Sequence, residues 1–180
     1  VIVLGIDLGT NRPSVAWVDV SERRPNATVQ GQSFARTPKR VRAQVATAFI
    51  QGQLRDFAAY GWRHVFIEDP TATGFGKSER GVTNYRTTTL LTAQLHNLTG
   101  FAQNLGLEVE HITPRTIGST LGFGRYPKTL AEYQRRKEKK ARTKRWVEVN
   151  VDTLQRLTYD DADAITIACA GWFRSKARVK

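Results

Sequence analysis

The chain opens VIVLGIDLGTNRPSVAWVDV, two apolar runs separated by a Gly/Asn/Pro turn within residues 1–20. Runs this short, rich in Val and Ile and punctuated by turn residues, read as the two strands of an antiparallel β-hairpin. Beyond the hairpin, strands and helices alternate. A third strand is expected around Ala27 to Phe34, and Val41, Val45, Ala48, Phe49 and Phe57 then recur at helical spacing, predicting an amphipathic helix from Arg40 to Tyr60 that Gly61 ends. The strand HVFIE comes next, then DPTATGFGKSERG, a loop by composition, and a helix from about Tyr85 to Asn104 stopped by Gly106. Leu107 to Ile112 is a further strand, Thr113-Pro114 opens a short helix, TLAEYQRRKEKKARTKRW is a basic helix at about 129–146, and YDDADAITIA starts an apolar helix that closes the chain. A hairpin followed by strands that alternate with helices requires an α/β fold with a mixed central sheet, antiparallel in the hairpin and parallel beyond it, flanked by helices. At 180 residues the chain suits one compact domain, 1–180, with one sizeable core.

Acids recur at informative places in this scheme. Asp7 ends the first strand, Glu68 ends HVFIE, and Asp160, Asp161 and Asp163 open the last helix. Acids in a first turn commonly cap orphan N–H groups and oppose the helix dipole, and a strand that ends in an acid is commonly just a solvated boundary. Capping suffices for Asp161. Asp160 and Asp163, three apart, share one helix face, and strand-end acids meet at the sheet edge where α/β proteins bind ligands. Four carboxylates gathered without a cation would raise one another's pKa, a conflict that a divalent ion resolves, and oxygen donors favour Mg²⁺ or Mn²⁺.

Charge narrows the partners. Lys and Arg number 28 against 16 Asp and Glu, a formal charge of +12, which points to a polyanion and first of all to nucleic acid. The run RRKEKKARTKR places Arg135, Arg136, Lys137, Lys139, Lys140, Arg142, Lys144 and Arg145 against one acid, which predicts contact with phosphate backbones without sequence readout. No long apolar segment, signal peptide or lipidation motif appears, so a membrane partner is not expected and a cytoplasmic location is, nucleoid-associated or, for a phage-encoded protein, in the host cytoplasm. The one cysteine, Cys169, lies in an apolar run and reads as core, while His64, His96 and His111 have no ligand-like spacing. No small-molecule cofactor is expected.

Taken in order, GIDLG at 5–9, FIE at 66–68, the helix from Leu90 to Gly106 followed by VEHITPRT, GFG before Lys128, and DDADAITIA at 160–168 resemble the RuvC Holliday junction resolvases over nearly the whole chain. That resemblance implies an RNase H-like fold, a homodimer, and metal-dependent hydrolysis of paired phosphodiesters in four-way DNA junctions. It also implies Asp7, Glu68, Asp160 and Asp163 as catalytic metal ligands, with Lys128 as a basic residue near the reacting phosphate. The chain departs from the family pattern at three places. Ile117 stands where relatives often carry a lysine, so that contact is either lost or supplied by Arg115. The aromatic wedge expected three residues after the catalytic Glu is Thr71, and Phe75, in the same loop as Lys77, is the candidate replacement. The stretch between Lys128 and Asp160 is longer than in bacterial relatives, which suggests a phage or otherwise divergent member. The stripe Leu91, Leu95, Leu98, Ala102 and Leu105 fits packing on its own sheet, and the matching helix of the family lies at its dimer interface.

Residues and resemblance together point to a structure-selective DNA endonuclease using two Mg²⁺ ions, with Mn²⁺ as substitute, that resolves junctions by symmetric nicks leaving 5′-phosphate and 3′-hydroxyl ends. A nuclease for another branched or hybrid nucleic acid is the alternative. GIDLGT also resembles the first phosphate turn of actin, Hsp70 and sugar-kinase ATPases, but those need a second such subdomain and a later Asp-x-Gly that this chain lacks.

Overall fold

The computed structural model describes residues 1–70, 82–123 and 132–178, without the side chains of 82–87, 132–133 and 135–136. Five strands, β1 (Ile2–Asp7), β2 (Ser14–Asp19), β3 (Asn26–Gly31), β4 (His64–Glu68) and β5 (Glu108–Ile112), form a sheet in the order β3-β2-β1-β4-β5. The β1/β2 and β2/β3 pairs are antiparallel, whereas β1/β4 and β4/β5 are parallel, as a hairpin followed by helical crossovers demands.

Helices cover both faces. On one side α1 (Lys39–Ala59) and α2 (Val82–Asn104) bury Ile50, Leu54, Phe57, Leu95, Leu98 and Ala102 against Leu4, Ile6, Val15, Val65 and Ile67. On the other side α5 (Tyr159–Arg178), with α3 (Pro114–Thr120) and α4 (Glu132–Asn150) beside it, packs on Val3, Ala16, Val18 and Phe66. Strand alternation explains the division, since successive side chains point to opposite faces. That parity puts Ser14, Asp7 and Glu68 on the α5 side, because Ala16, Val3 and Phe66, each an even number of residues away, already face it.

Helix ends follow the residues that mark them. Gly61 and Gly106 adopt φ of 78° and 74° just past α1 and α2, a conformation that glycine takes without a Cβ penalty. Thr113 caps α3 by accepting from the Thr116 N–H at 3.1 Å, with Pro114 at the first helical position. The third strand stops earlier than its composition suggests. Gly31 ends it, and Phe34 turns off the sheet to become buried against Phe49, with ring centroids 6.2 Å apart. In the Leu stripe of α2, Leu95, Leu98 and Ala102 are buried in the core, whereas Leu105 is 37% exposed. Cys169 is buried, and that burial pushes its thiol up to about 12.

Candidate functional site

Two strand ends and one helix start converge at the carboxyl edge of the sheet. In the β1/β4 register Ile6 pairs with Ile67, so Asp7 and Glu68, next along each parallel strand, end level with one another. Across from them α5 begins. Asp160 and Asp163 face the strand ends, and one carboxylate oxygen from each of Asp7, Asp160 and Asp163 lies within 4.8 Å of the others. Glu68 stands beside this triad. Its charge is the foremost neighbouring one acting on Asp7, and it shares with Asp163 the wall of a cavity of about 590 Å³.

The start of α5 is fixed by an acid that is not part of the triad. Thr158 Oγ1 accepts from the Asp161 N–H at 3.3 Å, and the Asp161 carboxylate accepts from the Thr158 N–H at 2.9 Å, a reciprocal capping box. The same carboxylate accepts from the buried Ser14 hydroxyl at 2.7 Å and lies 3.5 Å from Arg12 Nη2. Ser14 pairs with Asp7 across the hairpin, so Asp161 ties the helix start to the strand pair that carries Asp7. Gly31 leaves room for this lock, because a Cβ there would lie 2.6 Å from Asp161 Oδ1 and 2.7 Å from Ser14 Oγ.

Electrostatics separate the locking acid from the others. Burial works against ionisation of Asp161, yet hydrogen bonds from Thr158 and Ser14 and the Arg12 charge hold its carboxyl below the usual aspartate value. Burial first, then Glu68, Asp163 and Asp160, push Asp7 well above that value. Burial also raises Glu68, with Lys139 opposing, and raises Asp163 to about 6, with Lys139 and Lys140 opposing and Glu68 and Asp160 adding. Carboxylates that are buried together and resist ionisation are a donor set short of positive charge, and their hard oxygens fit Mg²⁺ or Mn²⁺.

The basic residues divide. Lys140 Nζ sits 3.0 Å from Asp160 Oδ1, and Lys139 lines the cavity with Glu68, Asp163 and Arg115. Burial works against the Lys140 charge, but the hydrogen bond and charge of Asp160 hold its pKa above the lysine value. Lys137, Arg142, Lys144 and Arg145 lie along α4, with Arg142 paired to Glu138 at 3.0 Å. Ile117 is buried in the same cavity wall, where its apolar side chain supplies no cation. Lys128, Phe75 and Lys77 lie outside the described residues, as do the side chains of Arg135 and Arg136. Sequence reasoning missed Arg12 and Ser14, which sit in and just after a turn with no motif of their own. It also treated Lys139 and Lys140 only as backbone contacts. A signal was available: Lys139, Thr143 and Val147 recur at spacings of four, and Thr143 and Val147 are buried.

A mixed sheet in this order, with acids at its carboxyl edge and on the helix across it, is RNase H-like. No protein-family model and no curated protein sequence matches the chain. Solved structures do. The fold matches Thermus thermophilus RuvC with a TM-score of 0.63 at 15% identity, over 99% of this chain and 97% of that one. It matches T. thermophilus RuvC in complex with a Holliday junction substrate with the same score of 0.63 at 14% identity, over 98% and 96%. The yeast mitochondrial Holliday junction resolvase Ydc2 matches with a score of 0.50 at 16% identity, over 98% of this chain and 79% of Ydc2. Structural neighbours of the chain thus include RuvC and other Holliday junction resolvases, and the expected fold class stands. No described helix is long and apolar enough to cross a membrane.

Proposed function

We propose that the protein is a metal-dependent, structure-selective DNA endonuclease that resolves four-way junctions. The observation that carries this reading is the convergence of Asp7, Asp160 and Asp163 within 4.8 Å, with Glu68 level with Asp7 on the adjacent strand. Nearly full-length likeness to junction resolvases supports it. Asp7, Glu68, Asp160 and Asp163 would hold two Mg²⁺ ions, for which Mn²⁺ would substitute. Bound there, divalent ions supply activation of the attacking water and charge stabilisation at the leaving 3′ oxygen of an in-line displacement. The protein's own part is to hold the carboxylates rigidly through α5 and to bring cations to the phosphate, Lys128 and Arg115 among them. The exposed face of α4 carries phosphate-backbone contacts, and Phe75 and Lys77, in the stretch of sequence between β4 and α2, are further DNA contacts. A homodimer presents two such sites to opposed strands, so the products are paired symmetric nicks with 5′-phosphate and 3′-hydroxyl ends.

Incubation with a synthetic four-way junction and Mg²⁺, beside duplex, single-strand and RNA/DNA hybrid controls, tests the proposal. Symmetric nicks that Asp7→Asn abolishes are the expected result. Preferential cutting of the hybrid would move the assignment to ribonuclease H activity, and ATP turnover without cleavage of any nucleic acid would overturn the nuclease reading.

A further inference from the structure

The acid cluster comes with a cation of its own. Lys140 Nζ lies 3.0 Å from Asp160 Oδ1, and Arg12 Nε lies 4.0 Å from Asp160 Oδ2, so Asp160 has a fixed charge on each side. The Lys140 contact joins α4 to α5 across twenty residues of sequence, which makes it tertiary rather than a helix-surface pair. The aromatic ring of Tyr159 lies beside it. Lys140 Nζ sits 5.9 Å from that ring centroid and Lys144 Nζ 5.7 Å, yet only Lys140 reaches the carboxylate. Lys144 lies instead 4.0 Å from Glu148. The buried Thr143 and Val147 hold the α4 face that ends at Lys139 and Lys140, so these two ammonium groups belong to the site, whereas Lys137 and Arg145 are exposed on the outer surface.

We propose that Lys140 is a resident counterion of the acid cluster, which divalent metal displaces from Asp160 and which then serves as a ligand for the phosphate to be cut. The first half concerns the protein and metal alone; the second rests on the nuclease reading above. Both come from reach. An ammonium that contacts Asp160 occupies space and charge that a divalent ion needs, and like charges a few ångströms apart repel strongly in a partly buried site. Once released, a flexible lysine has no acid left to neutralise and stays within a side chain's length of the reacting group.

The test uses the full chain. Calorimetric titration with Mn²⁺ at fixed ionic strength is expected to give about ten-fold tighter binding for Lys140→Met than for wild type, since a competing charge is gone. Lys140→Arg keeps the wild-type affinity, and so does Lys144→Met, which removes the other ammonium on the same tyrosine. At saturating Mn²⁺, single-turnover junction cleavage by Lys140→Met is expected to fall at least about ten-fold, with Lys140→Arg recovering part of the rate. Unchanged or weaker Mn²⁺ binding by Lys140→Met would overturn the counterion role. Tighter binding with undiminished cleavage would overturn the phosphate role. A wild type that binds Mn²⁺ but cuts no nucleic acid would defeat the nuclease reading, and with it the phosphate role, while the titration still decides the counterion role.

Discussion

A Cβ placed on Gly5 would collide with the carbonyl oxygen of Ala164 and lie 2.7 Å from the Ala168 N–H. The backbones of β1 and α5 are therefore in direct contact two residues before Asp7 and one residue after Asp163, and this contact sets the separation of the two acids. Gly171 does the same one helical stage further on, against the ring of Phe66. Gly5→Ala is expected to force the helix off the sheet, costing about 3 kcal/mol or more, because the obstructing atoms are backbone and cannot rotate away. Urea unfolding measures that loss. Loss of Mn²⁺ affinity in whatever fraction remains folded is the second expected outcome, whereas a variant of wild-type stability and affinity would show that the two elements are not fixed by this contact.

Asp161 has a structural role that can be separated from metal binding. Its carboxylate accepts from Ser14 at 2.7 Å and completes the capping box with Thr158, and it is 6% exposed. Asp161→Ala leaves the buried Ser14 hydroxyl without that partner and removes one half of the cap, for an expected cost of about 2 to 3 kcal/mol. The folded pKa is lowered, so the contribution of this acid to stability is present above the ordinary aspartate value and is lost as pH falls through the lower, folded value. The difference in unfolding free energy between wild type and Asp161→Ala should accordingly shrink at the acid end of a pH series. Mn²⁺ affinity should change little as long as the variant is folded.

Asp163 predicts the opposite sign. Its carboxyl is raised to about 6 in the metal-free fold, so the folded state holds a proton that the unfolded chain has released between the ordinary aspartate value and about 6. Stability should fall as pH rises through that window. Asp163→Asn removes the penalty, and at pH 7 without metal it is expected to be more stable than wild type. The same substitution should abolish metal-dependent cleavage. Thermal melts at pH 5 and pH 7, with EDTA and with Mn²⁺, check both signs: Mn²⁺ should stabilise wild type more at pH 7 than at pH 5 and stabilise Asp163→Asn weakly at either.

Legibility in the sequence depended on how local the determining forces are. The hairpin, the strand HVFIE and the two long helices were visible because period and punctuation are local properties, and Gly61 and Gly106 stop helices by their own backbone freedom. The acid cluster was visible because strand ends and a helix start are the places where side chains from distant segments meet. The hidden features depend on register and on packing between elements. Ser14 reads as an ordinary turn residue until the β1/β2 register sets it opposite Asp7 and within reach of Asp161. Phe34 reads as strand because the composition of Ala27 to Phe34 does not reveal that β3 stops at Gly31 and that Phe34 packs on Phe49 of α1 instead. Lys140 is one base among many in RRKEKKARTKR, and its difference from Lys144 arises only where α4 crosses α5.

On the proposed function, that division of α4 should separate DNA affinity from cleavage. Lys137 and Arg145 are exposed on the helix and neither touches the acid cluster, so any DNA contact they make is with phosphate and carries no catalytic duty. Each phosphate contact releases condensed counterions, and the logarithm of the binding constant falls with the logarithm of salt by about 0.9 per contact on duplex arms. Replacing both residues with Gln should lower the magnitude of that slope by nearly 2 and weaken junction binding most at low salt. The cleavage rate of bound junction should stay within about two-fold of wild type, since nothing at the carboxylates has changed. Fluorescence anisotropy at four salt concentrations, with Mg²⁺ replaced by Ca²⁺ to suppress cutting, measures the slope. An unaltered slope would mean that this face of α4 does not lie on the phosphates, and would confine DNA contact to the cavity edge where Arg115 and Lys139 stand.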